Sequence, residues 1–493
     1  MLGKTDLSKR AVDVKNRRLD DEVFFEERKR ILGLWPTGKE VDLDEAVERH
    51  QGLPATKHFV TKTRKAKKEG RTLIQPRGGV GLIDEFITNC KVLEDKGRAD
   101  LLPSTTDSYT RYGKYELAEK AIKESEKAGR TMLNGTPLVN WGVPGCRRVV
   151  ESITVPIDAR SCDILAYEVA LAAGYTSILA SAISQLSYWP QLPPEGSIRM
   201  YQQLFRLVGY YTEKGAPILV DVLPIQSVSF YVNSLEIATE LIDALLLAEQ
   251  GVKHFFIRFI QNCHLIQDIA KGEALREIME EYFQRLGYRD VEFYLSFDTW
   301  ASPFPQDWGQ ASVFVVLAAA VAHFTRASRL MVKSVDEALG LPGNEAQVFS
   351  LRAAKQALLM LNGQSFPLTR EVQEEKEMMK AEARAIIDKV FEMGEGDLAL
   401  GAVRAIEVGV LEHPFSSNRY NTGKVLPVRD ATGAVRYLDC GNLPFTKEMR
   451  EAQRHMIEER KRVEKVESDF ALLLKDSLAF ARPLEEIEES LPV

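Results

Sequence analysis

Between residues 71 and 345, short apolar runs rich in β-branched residues alternate with stretches of helical length, and this alternation constrains the fold more than any other feature. The runs fall at 72–75, 100–103, 131–133, 154–159, 176–180, 217–223, 254–260, 291–297 and 329–332. Amphipathic stretches such as 116–127 and 235–249 lie between them. Several end at a glycine (Gly129, Gly174, Gly215, Gly251, Gly287), the residue that most often stops a helix. Strands alternating with helices over this length form a parallel sheet. Nine runs are one more than an eight-stranded barrel needs, so one of them belongs elsewhere. The competing architecture is an open doubly wound sheet. No GxGxxG follows the first run, which weakens a dinucleotide fold. The expected class is α/β, a (β/α)8 TIM-type barrel. It is flanked by an N-terminal helical arm over 1–70 and a C-terminal helical and loop-rich extension over 346–493, with the barrel itself at 71–345.

A chain of 493 residues exceeds one ordinary core. Its net charge of −7 argues against bulk nucleic-acid binding and against an anionic membrane surface. The longest apolar run, 313–322, is too short to span a bilayer and reads as a buried helix. The first residues lack an apolar h-region, so no signal peptide is expected. Five scattered cysteines without a CxxC suit reduced thiols in the cytoplasm, and the seven histidines show no metal-ligand spacing. The basic run at 62–68 reads as a solvated helix face. Past the barrel, a hairpin is expected around 430–433 and a final charged helix over 447–475.

Three arginines sit just past apolar runs and beside turns: Arg77, Arg111 and Arg160. In a parallel barrel these positions share the face where active sites form. A guanidinium is a planar fork that binds carboxylate through two parallel hydrogen bonds. Three of them in one cavity would suit a small anion with two carboxylates; the plain alternative is three separate surface ion pairs. The other polar residues at strand ends (Gln75, Ser104, Thr105, Asp107, Asn134, Asp221, Gln261, Asn262, Asp298, Lys333, Glu337) are rich in anion binders and offer no poised acid–base pair. Lys333 and Glu337, four apart, could be an ordinary helix ion pair.

The sequence resembles the epsilon (large) subunit family of glutamate mutase, also called methylaspartate mutase. The resemblance is carried by Leu73-Ile74-Gln75-Pro76-Arg77, Leu101-Leu102-Pro103-Ser104-Thr105, Asp107-Ser108-Tyr109-Thr110-Arg111, Leu133-Asn134-Gly135, Ala159-Arg160, Phe304-Pro305-Gln306-Asp307 and Leu426-Pro427-Val428-Arg429-Asp430. It runs from about 70 to 450 with order and spacing kept. The resemblance implies an isomerase: an adenosylcobalamin-dependent carbon-skeleton mutase that rearranges a dicarboxylate by a radical mechanism. It implies a separate small cobalamin-binding subunit with a DxHxxG motif that supplies the cobalt ligand, in a heterotetramer of two large and two small chains. No DxHxxG occurs in this chain. It implies a substrate claw of Arg77, Arg111 and Arg160. Cofactor contacts implied by the resemblance are Gly79, Thr105, Asn134, Tyr188, Phe304, Lys333, Glu337 and Leu341.

The substrate end departs from the family pattern. Ser161 stands where the family has histidine. Leu179 stands at the glutamate that holds the substrate amino group, with Gln185 and Trp189 at two tyrosines. The arginines stay while the ammonium partner is lost, so the substrate is a dicarboxylate that need not be glutamate. A non-catalytic homologue, kept as a binding or assembly subunit, is the alternative reading.

Overall fold

The computed structural model describes residues 12–224, 230, 232–340 and 342–483. Its centre is a parallel sheet of β1 (Leu73–Pro76), β2 (Leu102–Thr105), β3 (Ile157–Arg160), β4 (Ser177–Leu179), β5 (Leu219–Asp221), β6 (His254–Ile260), β7 (Glu292–Asp298) and β8 (Arg329–Val332). Hydrogen-bonded neighbours run β1-β8-β7-β6-β5-β4-β3-β2. The two ends of that order meet. The Asp100 and Leu101 N–H groups donate to the Ile74 carbonyl (3.0 and 3.3 Å), and Thr105 N–H donates to Gly78 (3.0 Å). An open sheet keeps its edge strands apart, so the architecture is the expected (β/α)8 barrel, nearly closed, and not the doubly wound alternative.

Eight of the nine runs became strands. The run at 131–133 did not. It is caught between two turns, at Gly129 (φ 64°) and Gly135 (φ 132°), and only Thr136 beyond it bridges to Thr106. β2 starts two residues later than its apolar run because the Asp100 carboxylate is used to accept the Ile74 N–H (3.0 Å).

The N-terminal helix Phe59–Lys68 plugs the barrel at the N-terminal ends of the strands. Phe59, Val60 and Ala66 are buried against Leu73, Leu101, Leu219, Phe256 and Tyr294. Burying these side chains contributes roughly 1.5–3 kcal/mol for each large one. On the same helix Arg64, Lys65, Lys67 and Lys68 are exposed, so the basic run is a solvated face laid over an apolar one.

Helix Ile164–Ala173 is almost wholly apolar and buried throughout, and helix Asn233–Glu249 is buried as far as Ala248 with Glu236, Glu240 and Asp243 on its inner side. A second helical layer covers them. Arg28 of helix Asp21–Leu32 pairs with buried Glu168 at 2.9 Å, and Glu382 of helix Arg370–Met393 accepts from Ser234 Oγ at 2.8 Å. Helix Trp308–Phe324 holds the longest apolar run, yet it is not wholly buried as expected. Phe314, Val315 and Ala318 pack inward, while Val313, Val316 and Leu317 are exposed, because no second layer lies over that side among the described residues.

The expected hairpin is β9 (Val425–Arg429) and β10 (Val435–Cys440). The Asp430 carboxylate organises its turn by accepting from Thr432 N–H (2.8 Å) and Ala434 N–H (3.1 Å). The single final helix expected over 447–475 is two, Lys447–Glu464 and Asp469–Ser477, broken at Lys465 (φ 53°). The buried Arg460–Asp476 pair (2.6 Å) holds the second folded back on the first. No helix among the described residues is long and apolar enough to cross a membrane.

Candidate functional site at the C-terminal mouth of the barrel

Two cavities lie among the loops that follow the strands. The first, about 340 Å³, is lined among others by Arg77, Gly79, Thr105, Arg111, Asn134 and Glu337. The second, about 970 Å³, is lined among others by Ser302, Phe304, Lys333 and Glu337. Glu337 therefore belongs to both.

Each side chain arrives by a local device. Pro76 ends β1 and sends Arg77 into the loop, where the Gln347 amide clamps its carbonyl at 2.7 Å. Its guanidinium has no ion pair or hydrogen bond among the described residues. Asp107 caps the short helix Ser108–Arg111 by accepting from Tyr109 and Thr110 N–H, which places Arg111 at the helix end. Arg111 Nη2 donates to Thr106 O (3.1 Å), and its guanidinium lies 5.8 Å from the Tyr188 ring centre. At Gly79 an added Cβ would stand 2.3 Å from the Thr105 carbonyl oxygen, so only glycine lets the first loop lie on the end of β2. The Thr105 hydroxyl in the same cavity has no hydrogen-bond partner among the described residues.

Lys333 and Glu337 pair at 2.8 Å, and the Lys333 ammonium sits 5.6 Å from the Phe304 ring centre. This is not a solvated helix pair, since the lysine side chain is only 7% exposed. Burial and the Arg77 charge both push the Lys333 pKa down. Burial would raise Glu337, but Lys333 and Arg77 outweigh it and hold its carboxyl below the usual range.

Arg160 ends β3 and turns inward. Its guanidinium pairs with Asp158 (3.0 Å) and Asp221 (2.9 Å). Next to it, Ser161, Leu179 and Gln185 are buried together. The Gln185 amide donates to Ser161 O (2.8 Å) and accepts from Ser181 N–H (2.9 Å). The Tyr167 hydroxyl ties the Ser161 and Leu179 carbonyls. Trp189 stands edge-on to Tyr112 with ring centres 5.3 Å apart. Burial raises the Tyr188 pKa, with Arg77 and Arg111 among the charges opposing the rise. Leu341 lies outside the described residues.

Two residues of this region escaped the sequence reading. Arg258 and Arg329 lie inside strands, not past them, and both point into the barrel. Arg329 meets Asp221 at 2.5 Å and Gln75 at 3.0 Å, with its guanidinium 4.1 Å from the Phe256 ring centre. Arg258 pairs with Asp298 and lies 3.6 Å from Asp221. Asp221 thus faces three guanidiniums, and their charges overcome its burial to lower its pKa. The signal was present: a lone charge inside Phe255-Phe256-Ile257-Arg258-Phe259-Ile260 is costly unless it is paired in the interior.

The family model described as methylaspartate mutase E chain matches residues 53–483. The chain belongs to the methylaspartate mutase E chain family. Curated relatives agree. A glutamate mutase epsilon subunit from Treponema denticola is 41% identical over 469 residues, covering 94% of this chain and 97% of the relative. One from Desulfitobacterium hafniense is 40% identical over 476 residues, covering 96% and 98%. One from Haloarcula marismortui is 33% identical over 466 residues, covering 94% of each. In this E chain family member the matched span takes in the plugging helix, the whole barrel and the hairpin.

Proposed function

We propose that this chain is the catalytic subunit of an adenosylcobalamin-dependent carbon-skeleton mutase acting on a dicarboxylate, an isomerase of the methylaspartate mutase type. The observation that carries the reading is a pair of guanidiniums, Arg77 and Arg111, held without carboxylate partners in a cavity that shares Glu337 with a much larger one. The residues present fit the cofactor. A nucleoside needs hydroxyl and amine partners beside a close backbone, and the Thr105 hydroxyl without a partner, the Gly79 approach and the buried Lys333–Glu337 pair supply them. Asn134 lines the same cavity, Phe304 adds ring surface to the larger one, and the Tyr188 ring lies beside the Arg111 guanidinium. Adenosylcobalamin, when bound, supplies the radical chemistry that a carbon-skeleton rearrangement requires.

The chain's own residues do the rest. Arg77 and Arg111 bind carboxylates by charge-assisted hydrogen bonds, each worth about 1.5–3 kcal/mol net. Arg160, oriented by Asp158 and Asp221, is the third member of the claw. Ser161, Leu179, Gln185 and Trp189 shape the wall around the substrate carbon skeleton. The plug at the opposite end of the barrel keeps water from entering behind the substrate, which protects reactive species from side reactions. The cobalt ligand comes from a separate small cobalamin-binding subunit with DxHxxG, assembled with this chain as two large and two small chains in the cytoplasm.

The test is to mix the purified chain with a small subunit of that description and adenosylcobalamin, add candidate dicarboxylates, and follow the cobalamin absorption spectrum and product formation. The expected result is a substrate-dependent spectral change that Arg111→Gln abolishes. No change with any dicarboxylate, amino or not, would reject the reading.

A further inference from the structure

Inside the barrel Arg160, Arg258 and Arg329 face Asp158, Asp221 and Asp298, three cations against three anions, so that layer is neutral. Lys333 and Glu337 neutralise each other at 2.8 Å. Asp107 is committed to Tyr109 N–H, Thr110 N–H and the Thr110 hydroxyl. Asp163 is committed to Ala166 N–H (2.8 Å) and the Tyr115 hydroxyl (2.7 Å). What remains is Arg77 and Arg111: two positive charges and no free carboxylate among the described residues.

At the neighbouring strand ends, the buried carboxylate beside the loop after β4, Asp243, is committed to the Ser181 hydroxyl and to Ala182 and Ile183 N–H. Leu179, at the end of β4 and in register with Arg160, is apolar and buried. The Ser161 hydroxyl accepts from Thr106 Oγ1 at 3.1 Å, and the Gln185 amide is turned to backbone. Two unpaired cations ask for two negative charges. An ammonium brought beside them would meet repulsion from both and find no uncommitted carboxylate among the described residues.

The geometry points to a substrate that is a dicarboxylate dianion without an ammonium group, its second carbon carrying hydrogen, hydroxyl or another neutral substituent. This deepens the mutase reading and rests on it for the reaction, while the binding preference rests on the charges alone.

The experiment is calorimetric titration of the full chain, without cofactor, at neutral pH with glutarate, 2-hydroxyglutarate and L-glutamate. Glutarate and 2-hydroxyglutarate are expected to bind about tenfold or more tightly than L-glutamate, the scale of one charge-assisted hydrogen bond. Leu179→Glu is expected to narrow or reverse that order. L-Glutamate binding as tightly as the diacids, or none of the three binding, overturns the proposal. A second arm separates it from the mutase reading. With small subunit and adenosylcobalamin present, a spectral change on adding L-glutamate but neither diacid overturns the proposal and leaves the mutase. No change with any of them overturns the mutase, and the calorimetric order still judges the charge inference.

Discussion

Arg111 makes one backbone hydrogen bond and stacks over Tyr188, which leaves most of its five donors free for a ligand. Lysine keeps the charge but not the fork. Arg111→Lys is expected to weaken dicarboxylate binding by about ten- to a hundredfold while barely moving the melting temperature; calorimetry and a thermal melt check the two halves. Asp221 is the opposite kind of residue. It is wholly buried among three guanidiniums, so Asp221→Asn leaves positive charge uncompensated and should cost about 3–5 kcal/mol in urea unfolding. Its depressed pKa also fixes a sign. The stability it contributes is full above the unfolded value of about 3.9 and is lost as pH falls below it. The two classes of arginine were not equally legible. Arg77 and Arg111 could be found because they follow apolar runs beside turns. Arg160 could be found the same way, but its inward turn could not: Asp158 is two residues away on the same strand, while Asp221 comes from β5, 61 residues on, and meets it only when the barrel forms. Arg258 and Arg329 hid inside strands, where a charge looks like noise until the barrel closes around it.

At the scale of elements, local pattern decided most outcomes and tertiary packing decided the rest. Eight runs have enough residues to span a pleat and a helix behind each to cover it. The ninth, at 131–133, had the composition but stood between two glycine turns. The helices past the barrel are joined by one buried carboxylate. Glu382 accepts from Ser234 Oγ (2.8 Å) and Gln453 Nε2 (2.6 Å), and Ser234 Oγ meets the Tyr437 hydroxyl (2.6 Å), so helices Asn233–Glu249, Arg370–Met393 and Lys447–Glu464 and strand β10 share one network. Burial lifts the Glu382 pKa to about 7. A raised carboxylate favours folding while protonated, so this contribution is full below the unfolded value of about 4.3 and is lost as pH rises to 7. Glu382→Gln keeps an acceptor for the Gln453 amide and turns an amide N–H toward Ser234 Oγ, which then accepts and donates to the Tyr437 hydroxyl. It is expected to remove about 3 kcal/mol of pH dependence across that window and to leave the variant the more stable protein at pH 8, as read by urea unfolding at several pH values.

For the molecule as a whole, two buried histidines work against stability on the acid side, opposed by buried carboxylates such as Asp163, Asp243 and Asp268 whose raised pKa values favour the fold as they protonate. His50, whose ring bonds the Leu171 carbonyl at 2.7 Å, and His413 are both buried, and burial pushes each down to about 4. Between about 6.5 and 4 the unfolded chain binds protons at these two positions that the folded chain refuses, so the contribution of each falls as pH is lowered across that range, by about 3 kcal/mol. His413→Gln is expected to flatten the acid side of the urea-midpoint profile; a slope equal to that of the parent protein would show that another group governs it. The helix Phe59–Lys68 has a consequence of a different sort. A vessel stoppered at its base has a single doorway. Whatever settles deepest must come in ahead of anything that roofs the opening, and it can depart only once that roof has lifted. Order of arrival and release is thereby written into the architecture, before any affinity is considered.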